Sequence, residues 1–250
     1  MTPLVIEADV RRIWCALRFV DAATQRLVAG PLELRTPGVH WQRNASGLFV
    51  AMQIDAPPER RAEFAAYEAA FDPLPAVAPV ALAGTVADPL QRYLPRRFAL
   101  ALPRSPEPAG RDAPRFTPID IVLDPSPAAK LQPTWAVLRV SLRRAGRPAA
   151  SAALRLRRAA DGAPLGRGLS DARGEALVAA AGLPLLNVGA GVVVVQREIA
   201  AELVVSFDAA APADQPVDPD ALAQAAGVVR VTVARNVSSG RTESLALDLP

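Results

Sequence analysis

Histidine and cysteine are nearly absent from this sequence of 250 residues. His40 is the only histidine and Cys15 is the only cysteine. A serine or cysteine nucleophile normally needs a positioned imidazole, and zinc sites need several histidine or cysteine ligands. The sequence therefore excludes most catalytic triads and histidine-rich metal centres. We expect no catalytic, cofactor-binding or metal-binding residues and no enzymatic activity.

A lone cysteine cannot form an internal disulfide, so nothing requires an oxidising compartment. Cys15 lies in the apolar segment 13–17, a pattern typical of a buried strand in which a thiol is an inert filler. Residues 1–10 lack a basic start followed by an apolar run, so we expect no secretory signal. No segment approaches the ~18 apolar residues of a membrane span. We therefore expect a soluble, cytoplasmic protein without membrane contacts.

Concentrated basic runs are also missing, although the net charge is +3. Lys130 is the only lysine, and the longest basic runs are pairs such as Arg143-Arg144 and Arg157-Arg158. Binding to nucleic acid through phosphate contacts needs a concentrated stripe of positive charge. We therefore expect no nucleic-acid partner.

The residues that are abundant favour a β-sheet protein. Hydrophobic residues make up 51% of the chain but aromatic residues only 5%, which predicts a core of small, β-branched and leucine side chains around a few large anchors. The predicted anchors are Trp14, Trp41, Trp135, Phe19, Phe49 and Phe207. The 25 prolines and 15 glycines favour short strands joined by turns over long helices.

Alternating and short apolar segments, separated by turn residues, predict a series of strands. The predicted strands are 13–20, 32–36, 48–52, 77–86, 96–102, 119–123, 135–142, 153–157, 165–169, 175–179, 192–195, 199–207, 228–234 and 242–249. In the second half of the chain they recur every 8–12 residues or so, as in β-sandwiches. The expected fold class is all-β, with two immunoglobulin-like β-sandwich domains.

One or two short helices interrupt this pattern. Segment 55–59 is a plausible helix start, and Phe64, Tyr67 and Phe71 then recur as on one helical face, although the segment could equally continue as strand. The second helix is predicted after Asp218, which is followed by a proline and, nine residues on, by a terminating glycine.

The segment 103–118 is the clearest linker, because it is rich in proline and poor in large apolar residues. Domains commonly contain ~100–150 residues, so a chain of this length accommodates two. The predicted domains are an N-terminal β-sandwich over 1–102 and a C-terminal β-sandwich over 119–250.

Several polar motifs permit a functional hypothesis, but each has a structural interpretation that we favour. Gly189 and Gly191 resemble the start of a dinucleotide fingerprint, yet a predicted strand follows them instead of a helix N-terminus. Asp120 and Asp124 could form an acid–base pair, but we interpret them as strand-end residues without partners. A group of aspartates could bind Ca²⁺, but its spacing fits no EF-hand loop and favours helix capping and a solvated loop. The group comprises Asp208, Asp214, Asp218 and Asp220.

The remaining motifs are treated in the same way. His40 could serve as a base for Cys15 or Ser46, but we interpret it as a half-exposed loop histidine beside Trp41. Two glycosylation-like motifs, Asn44-Ala45-Ser46 and Asn236-Val237-Ser238, are interpreted as turns. Arg155 and Arg157 lie on the strand face opposite Leu154 and Leu156, where they could meet an acidic partner or form a solvated face, which we favour.

One segment of the second half carries a recognisable pattern. Gly146, Pro148 and Ala152 are followed by Ser170-Asp171-Ala172-Arg173-Gly174-Glu175. This segment resembles the carboxypeptidase-regulatory-like, or transthyretin-like, β-sandwich. Residues 26–31 and 44–49 look like a degenerate copy that lacks the Ser/Thr-Asp pair. Because such modules are non-catalytic accessories, the resemblance implies a structural or binding role.

The segments 91–98 and 168–178 are also similar to proteins that accompany phage-tail-like contractile injection systems. This resemblance implies a non-catalytic structural subunit, such as a baseplate, cap or collar component, with protein partners and a homo-oligomeric state within the assembly. The alternative hypothesis is a carbohydrate- or cell-surface-binding module that uses aromatic residues such as Trp41 or Tyr93.

Overall fold

The computed structural model describes residues 13–70, 75–104, 117–183, 185–186, 195–196, 198–212 and 215–250. The fold is all-β and sandwich-like, as the alternating patterns predict. The strands are β1 (Cys15–Asp21), β2 (Glu33–Arg35), β3 (Val39–Arg43), β4 (Phe49–Ile54), β5 (Val80–Ala87), β6 (Arg96–Leu102), β7 (Ile119–Leu123), β8 (Ala136–Arg144), β9 (Arg147–Pro148), β10 (Ala153–Arg158), β11 (Pro164–Leu169), β12 (Glu175–Ala180), β13 (Leu185–Leu186), β14 (Val195–Gln196), β15 (Ile199–Phe207), β16 (Val229–Val237) and β17 (Thr242–Leu249).

Both predicted helices are present. A short 3₁₀ helix over Pro58–Arg60 leads into α1 (Arg61–Ala69), which buries Phe64 and Tyr67 as its spacing predicts. Helix α2 (Pro219–Gln224) begins after Asp218, whose carboxylate accepts hydrogen bonds from the backbone N–H groups of Asp220 and Ala221. No helix among the described residues is long and apolar enough to cross a bilayer.

The chain folds into two compact units that interleave along the sequence. Unit 1 comprises residues 1–18, 36–84 and 99–120, and unit 2 comprises 19–35, 85–98 and 121–250. The predicted domains follow the chain in order, and so differ from these units in the placement of segments 19–35 and 85–98. Residues 105–116 of the predicted linker lie outside the described residues, and the domain limits stay a prediction.

Unit 1 is organised around Trp14. Its indole ring stacks on Phe64 and Tyr67, with ring centroids 5.4 and 5.0 Å apart, and its Nε1–H donates to Glu68 at 3.3 Å. Strand β4 pairs with β3 and with the first residues of β1. Strand β3 is not predicted by the sequence, because Trp41 closely precedes the predicted turn residues 43–47.

Unit 2 contains a β-sandwich built from two open sheets. One sheet has the order β11-β10-β15-β16, and the other has the order β12-β8-β17, with β17 parallel to β8 and the short β9 paired to the end of β8. The inward rows form one apolar core that includes Leu138, Val140, Leu154, Leu203 and Val205. The sandwich predicted for the C-terminal part of the chain is therefore present.

Of the six aromatic residues predicted as core anchors, half are buried in the structure. Three are buried, namely Trp14, Phe19 and Phe49. The other three are only half-buried, namely Trp41, Trp135 and Phe207. The buried rings that were not predicted as anchors are Phe64, Tyr67 and Phe98. Within the sandwich core, leucine, valine and alanine fill the space between the sheets, as the composition predicts.

Candidate functional site

The structure does not bring His40 into hydrogen-bonding contact with Cys15 or Ser46, the residues of the catalytic hypothesis. His40 lies on the exposed face of β3, where its Nε2 is 4.0 Å from Asp55. Cys15 is buried in β1, and burial raises the pKa of its thiol to about 12 despite the opposing influence of Arg104. Among the described residues, no hydrogen bond links His40 to Cys15 or Ser46. His40 therefore lies on a strand and not in the loop that was predicted.

Asp120 lies near the start of β7 and Asp124 directly follows its end, as the strand-end interpretation expects. The expectation that they lack partners was wrong, because both pair with arginines. Asp120 forms a bidentate ion pair with Arg18 in which both side chains are about half exposed, with N–O distances of 2.6 Å. Asp124 is buried and forms a bidentate ion pair with Arg167 at 2.8 and 3.1 Å. The partners are 102 and 43 residues away in sequence, beyond the reach of a local pattern.

Asp124 belongs to a charge cluster in unit 2, which we call the Asp220 cluster. Its members are Arg96, Asp124, Arg155, Arg167, Asp218 and Asp220. Asp220 receives hydrogen bonds from three arginines at 2.7 to 2.9 Å. The cluster thereby joins α2 to β6, β10, β11 and the residue that follows β7. Helix capping by Asp218 is confirmed. The expectations of a solvated loop for Asp218 and Asp220 and of a merely solvated face for Arg155 are wrong, because these residues form ion pairs in the cluster.

Arg96 is the most buried member of the Asp220 cluster, with 2% of its surface exposed. Its guanidinium donates to the carbonyl oxygens of Arg97 and Val122 and to the carboxylates of Asp218 and Asp220. A buried arginine is tolerated only when its N–H groups and its charge are satisfied in this way. Through these contacts Arg96 links β6 and β7 to the start of helix α2.

Electrostatics within the cluster fix the charge of Asp220. Burial alone raises the pKa of this carboxyl, but Arg167 and Arg96 outweigh it and hold the pKa well below its usual range. For Arg167, burial lowers the pKa, whereas Asp124 and Asp220 raise it by more. All six charged side chains of the cluster form ion pairs with other members.

The other polar motifs have structural roles or lie outside the described residues. Asn44 accepts a hydrogen bond from Leu48 N–H within a turn, as predicted. Asn236 and Val237 instead belong to β16, so the predicted turn there is wrong. Arg157 pairs with Glu202 of the neighbouring strand. Asp214, Gly189, Gly191 and Phe71, with residues 192–194 of a predicted strand, lie outside the described residues.

The strand-turn-strand segment that carries the sandwich resemblance is held by its own side chains. Ser170 Oγ accepts from Ala152 N–H and donates to the carbonyl oxygen of Ala149. Asp171 Oδ1 accepts from the N–H groups of Arg173 and Glu175, and Gly174 has φ of +76°. The side chains of the motif therefore stabilise the backbone conformation of a turn, which is a structural role.

A cavity of about 600 Å³ lies among the loops of unit 2. Its lining includes Tyr93, Trp135, Leu90, Leu131 and Lys130. The size is in the range of small-ligand pockets, and two half-buried rings with apolar neighbours suit the flat face of a sugar or a similar ligand. The described residues contain no group of three or more histidine, cysteine, aspartate or glutamate side chains that could hold a metal ion.

Most polar groups of this cavity are already engaged. The Tyr93 hydroxyl donates to Asp21 at 2.9 Å, and burial together with that carboxylate raises the pKa of Tyr93. Arg92 pairs with the buried Asp88 at 2.8 Å. Lys130 is exposed and has no oppositely charged partner among the described residues.

The two sides of the sandwich are closed to different degrees. On one side, β11 packs closely on β12: a Cβ added at Gly166 would lie 2.7 Å from the carbonyl oxygen of Ala179, and one at Gly168 would be closer still to that of Leu177. Residues 176–180 of β12 are buried throughout. Glycine is required here because two backbones approach each other directly.

The opposite side, formed by β16 and β17, is open, and we call it the open edge. Each strand is the last of its sheet among the described strands, and the two make no extended contact with each other. Strand β16 pairs with β15 over nine consecutive residues, and β17 pairs with β8 over eight, without a bulge. The core residues Val231, Leu245 and Leu247 remain partly exposed there.

With the fold and these surfaces described, the chain can be set beside known proteins. No protein-family model matches it, and no curated protein matches it. Among solved structures, a Bacteroides ovatus protein described as a "putative adhesin" aligns with 8% sequence identity and a TM-score of 0.23, over 98% of this chain and 95% of that chain. A score this low does not indicate a shared fold and supports no conclusion about function.

We expect Arg96→Ala to destabilise the protein by about 3 kcal/mol or more, because it leaves two carboxylates without their buried cation. The matched control is Arg18→Ala, which removes an exposed ion pair and should cost less than about 1 kcal/mol. Urea unfolding of both variants measures the difference. Equal effects of the two substitutions would contradict the assignment of Arg96 as a buried tie.

We expect Asp220→Asn to reduce the acid sensitivity of the fold. Because the pKa of Asp220 is lowered in the folded protein, its stabilising contribution is complete above the unfolded value of about 4 and is lost as the pH falls below it. Unfolding free energies measured from pH 7 to pH 2 should fall less steeply in the variant than in the wild type. Asp161→Asn, in an exposed turn, is the control, and an unchanged slope in Asp220→Asn would refute the prediction.

Proposed function

We propose that this protein is a non-catalytic structural subunit of a larger protein assembly and that it docks through the open edge of its sandwich. The observation that carries the proposal is the pair of long edge strands, β16 and β17, whose backbone groups on one side have no strand partner among the described residues and whose core residues are partly exposed. A strand from another chain satisfies such backbone groups directly.

Strands β16 and β17 lack most of the devices that protect an exposed edge, which supports the proposal. Globular proteins usually blunt such edges with proline, bulges, very short strands or charged side chains, including inward-pointing ones. Of these devices the edge has only the charged residues Arg230, Arg235, Glu243 and Asp248. Strands β16 and β17 contain neither proline nor lysine, pair without a bulge and span nine and eight residues. An edge of this kind is suited to docking.

The resemblance of segments 91–98 and 168–178 to proteins of phage-tail-like contractile injection systems suggests which assembly this is. A baseplate, cap or collar component needs rigid domains and docking edges and does not need an active site. The engaged charges of the Asp220 cluster are compatible with such a role.

The protein purified from its native source should be found in a large particle together with tube, sheath or baseplate subunits. Electron microscopy and mass spectrometry of the native material measure this. Recovery of the protein only as a free species, with no co-purifying tail subunits, would count strongly against the proposal.

The cavity beside Tyr93 and Trp135 favours a second candidate function, the binding of carbohydrate or a cell surface. A sugar ring stacked on these side chains would be held without chemistry, and ring stacking contributes about 1 kcal/mol per pair. The other proposed aromatic, Trp41, does not line this cavity.

If the second candidate is correct, a glycan array probed with the protein should give hits, and Trp135→Ala should weaken binding about tenfold. Trp41→Ala is the matched control and should bind as the wild type does. An array without hits eliminates this candidate and leaves the structural role unaffected.

A further inference from the structure

We propose that two copies of this protein associate through their open edges, with β16 of each copy pairing antiparallel to β17 of the other. The inference rests on the proposed docking function and names the partner as a second copy of the chain. It is carried by the charges of the two strands, by the register those charges define and by the symmetry that this register allows.

The two edge strands carry opposite charges. The charged residues of β16 are Arg230 and Arg235, and those of β17 are Glu243 and Asp248. Arg230 donates to backbone carbonyls of residues 223 and 225, and Arg235 to that of residue 234, so neither has a carboxylate partner among the described residues. Asp248 is level with Arg143 on β8 but makes no ion pair with it among the described residues, whereas Glu243 pairs with Arg241 of its own chain at 3.1 Å. A second copy offers carboxylate partners to the two arginines and a cationic partner to Asp248.

One antiparallel register satisfies all four charges together. Placing Arg230 opposite Asp248 also places Arg235 opposite Glu243, because each pair of like charges is five residues apart. The same register sets Val231 opposite Leu247 and Val233 opposite Leu245. Opposite-charge and apolar cross-strand pairs are the pairs that stabilise sheets.

The register also agrees with the two faces of each strand. On β16, Arg230 faces solvent and Arg235 belongs to the more buried row, as shown by their exposure. On β17, Asp248 faces solvent and Glu243 belongs to the more buried row. A shift of the register by one residue would place the more buried row of one strand beside the solvent-facing row of the other. The proposed register therefore matches the faces of the two strands as well as their charges.

This pairing is not used within one chain. The register pairs residues that are equidistant from Ser239, so that Val237 would lie opposite Arg241, but β16 is hydrogen-bonded to β15 and β17 to β8 in separate sheets. Because both strands rise by the same distance per residue, residues equidistant from Ser239 lie at a similar height along the strands. A two-fold axis parallel to the strands therefore brings the paired residues of two copies to the same level.

The two-fold arrangement closes both edges at once. Rotation about such an axis sets β16 of one copy beside β17 of the other and keeps the two strands antiparallel. The sheet β11-β10-β15-β16 of each copy then continues into the sheet β17-β8-β12 of the other copy. The partly exposed Val231, Leu245 and Leu247 become covered. A self-complementary contact of this type ends at a dimer.

The test uses two charge-reversal variants of the full chain. One is Arg230→Glu with Arg235→Glu, and the other is Glu243→Arg with Asp248→Arg. Analytical ultracentrifugation of the wild type should show a monomer–dimer equilibrium. Each variant alone should dimerise about 100-fold more weakly or worse, because four opposite-charge pairs become like-charge pairs. An equimolar mixture of the two variants should restore the dimer.

The control Arg26→Glu with Arg61→Glu reverses two exposed arginines that belong to neither β16 nor β17 and should dimerise as the wild type does. Circular dichroism verifies that each variant is folded. A wild type that stays monomeric, a dimer that persists in both variants, a series of larger polymers or a mixture without restored dimer would overturn the inference. A dimer in a protein that never joins a larger particle would instead contradict only the proposed function.

Discussion

The hydrogen-bonding requirement of strand edges constrains this structure more than any other factor. Every open sheet leaves two rows of backbone N–H and C=O groups, and the sandwich of unit 2 has two such sheets. One side is closed by the approach of β11 to β12, which Gly166 and Gly168 permit. The other side is left to β16 and β17, and its unpaired groups are the reason for expecting a strand from another chain.

The Asp220 cluster provides the second constraint, because it determines how helix α2 sits on its neighbouring strands. Three arginines from β6, β10 and β11 donate to Asp220, and Arg96 also reaches Asp218 and two backbone carbonyls. Arginine suits this task because its planar fork keeps its charge and donates several hydrogen bonds in fixed directions. The cluster thus uses residue types common in active sites for a structural purpose.

The sequence predicted local structure well, since periodicity and turn residues act over a few positions. Strands such as β6, β7 and β17 have the predicted bounds, and Asp218 caps α2 as expected. Strand β3 was not predicted, although it is as long as β7 and alternates in burial, because its sequence runs directly into the predicted turn residues 43–47.

Features that depend on distant partners could not be predicted in the same way. Arg96 and Asp220 are 124 residues apart, and Arg167 and Asp124 are 43 apart, so no local pattern announces either pair. The interleaving of the units also depends on long-range contacts. The charges of β16 and β17 are visible in the sequence, but their meaning depends on knowing that the two strands end different sheets.

The central claim is that the open edge is a docking surface and not a solvated margin. Hydrogen–deuterium exchange of the protein, followed residue by residue at low and high protein concentration, tests it most directly. The account predicts that amides of alternate β16 residues, whose N–H groups point away from β15, exchange more slowly as the concentration rises. Fast exchange of these amides at every concentration, beside a protected β12, would contradict it.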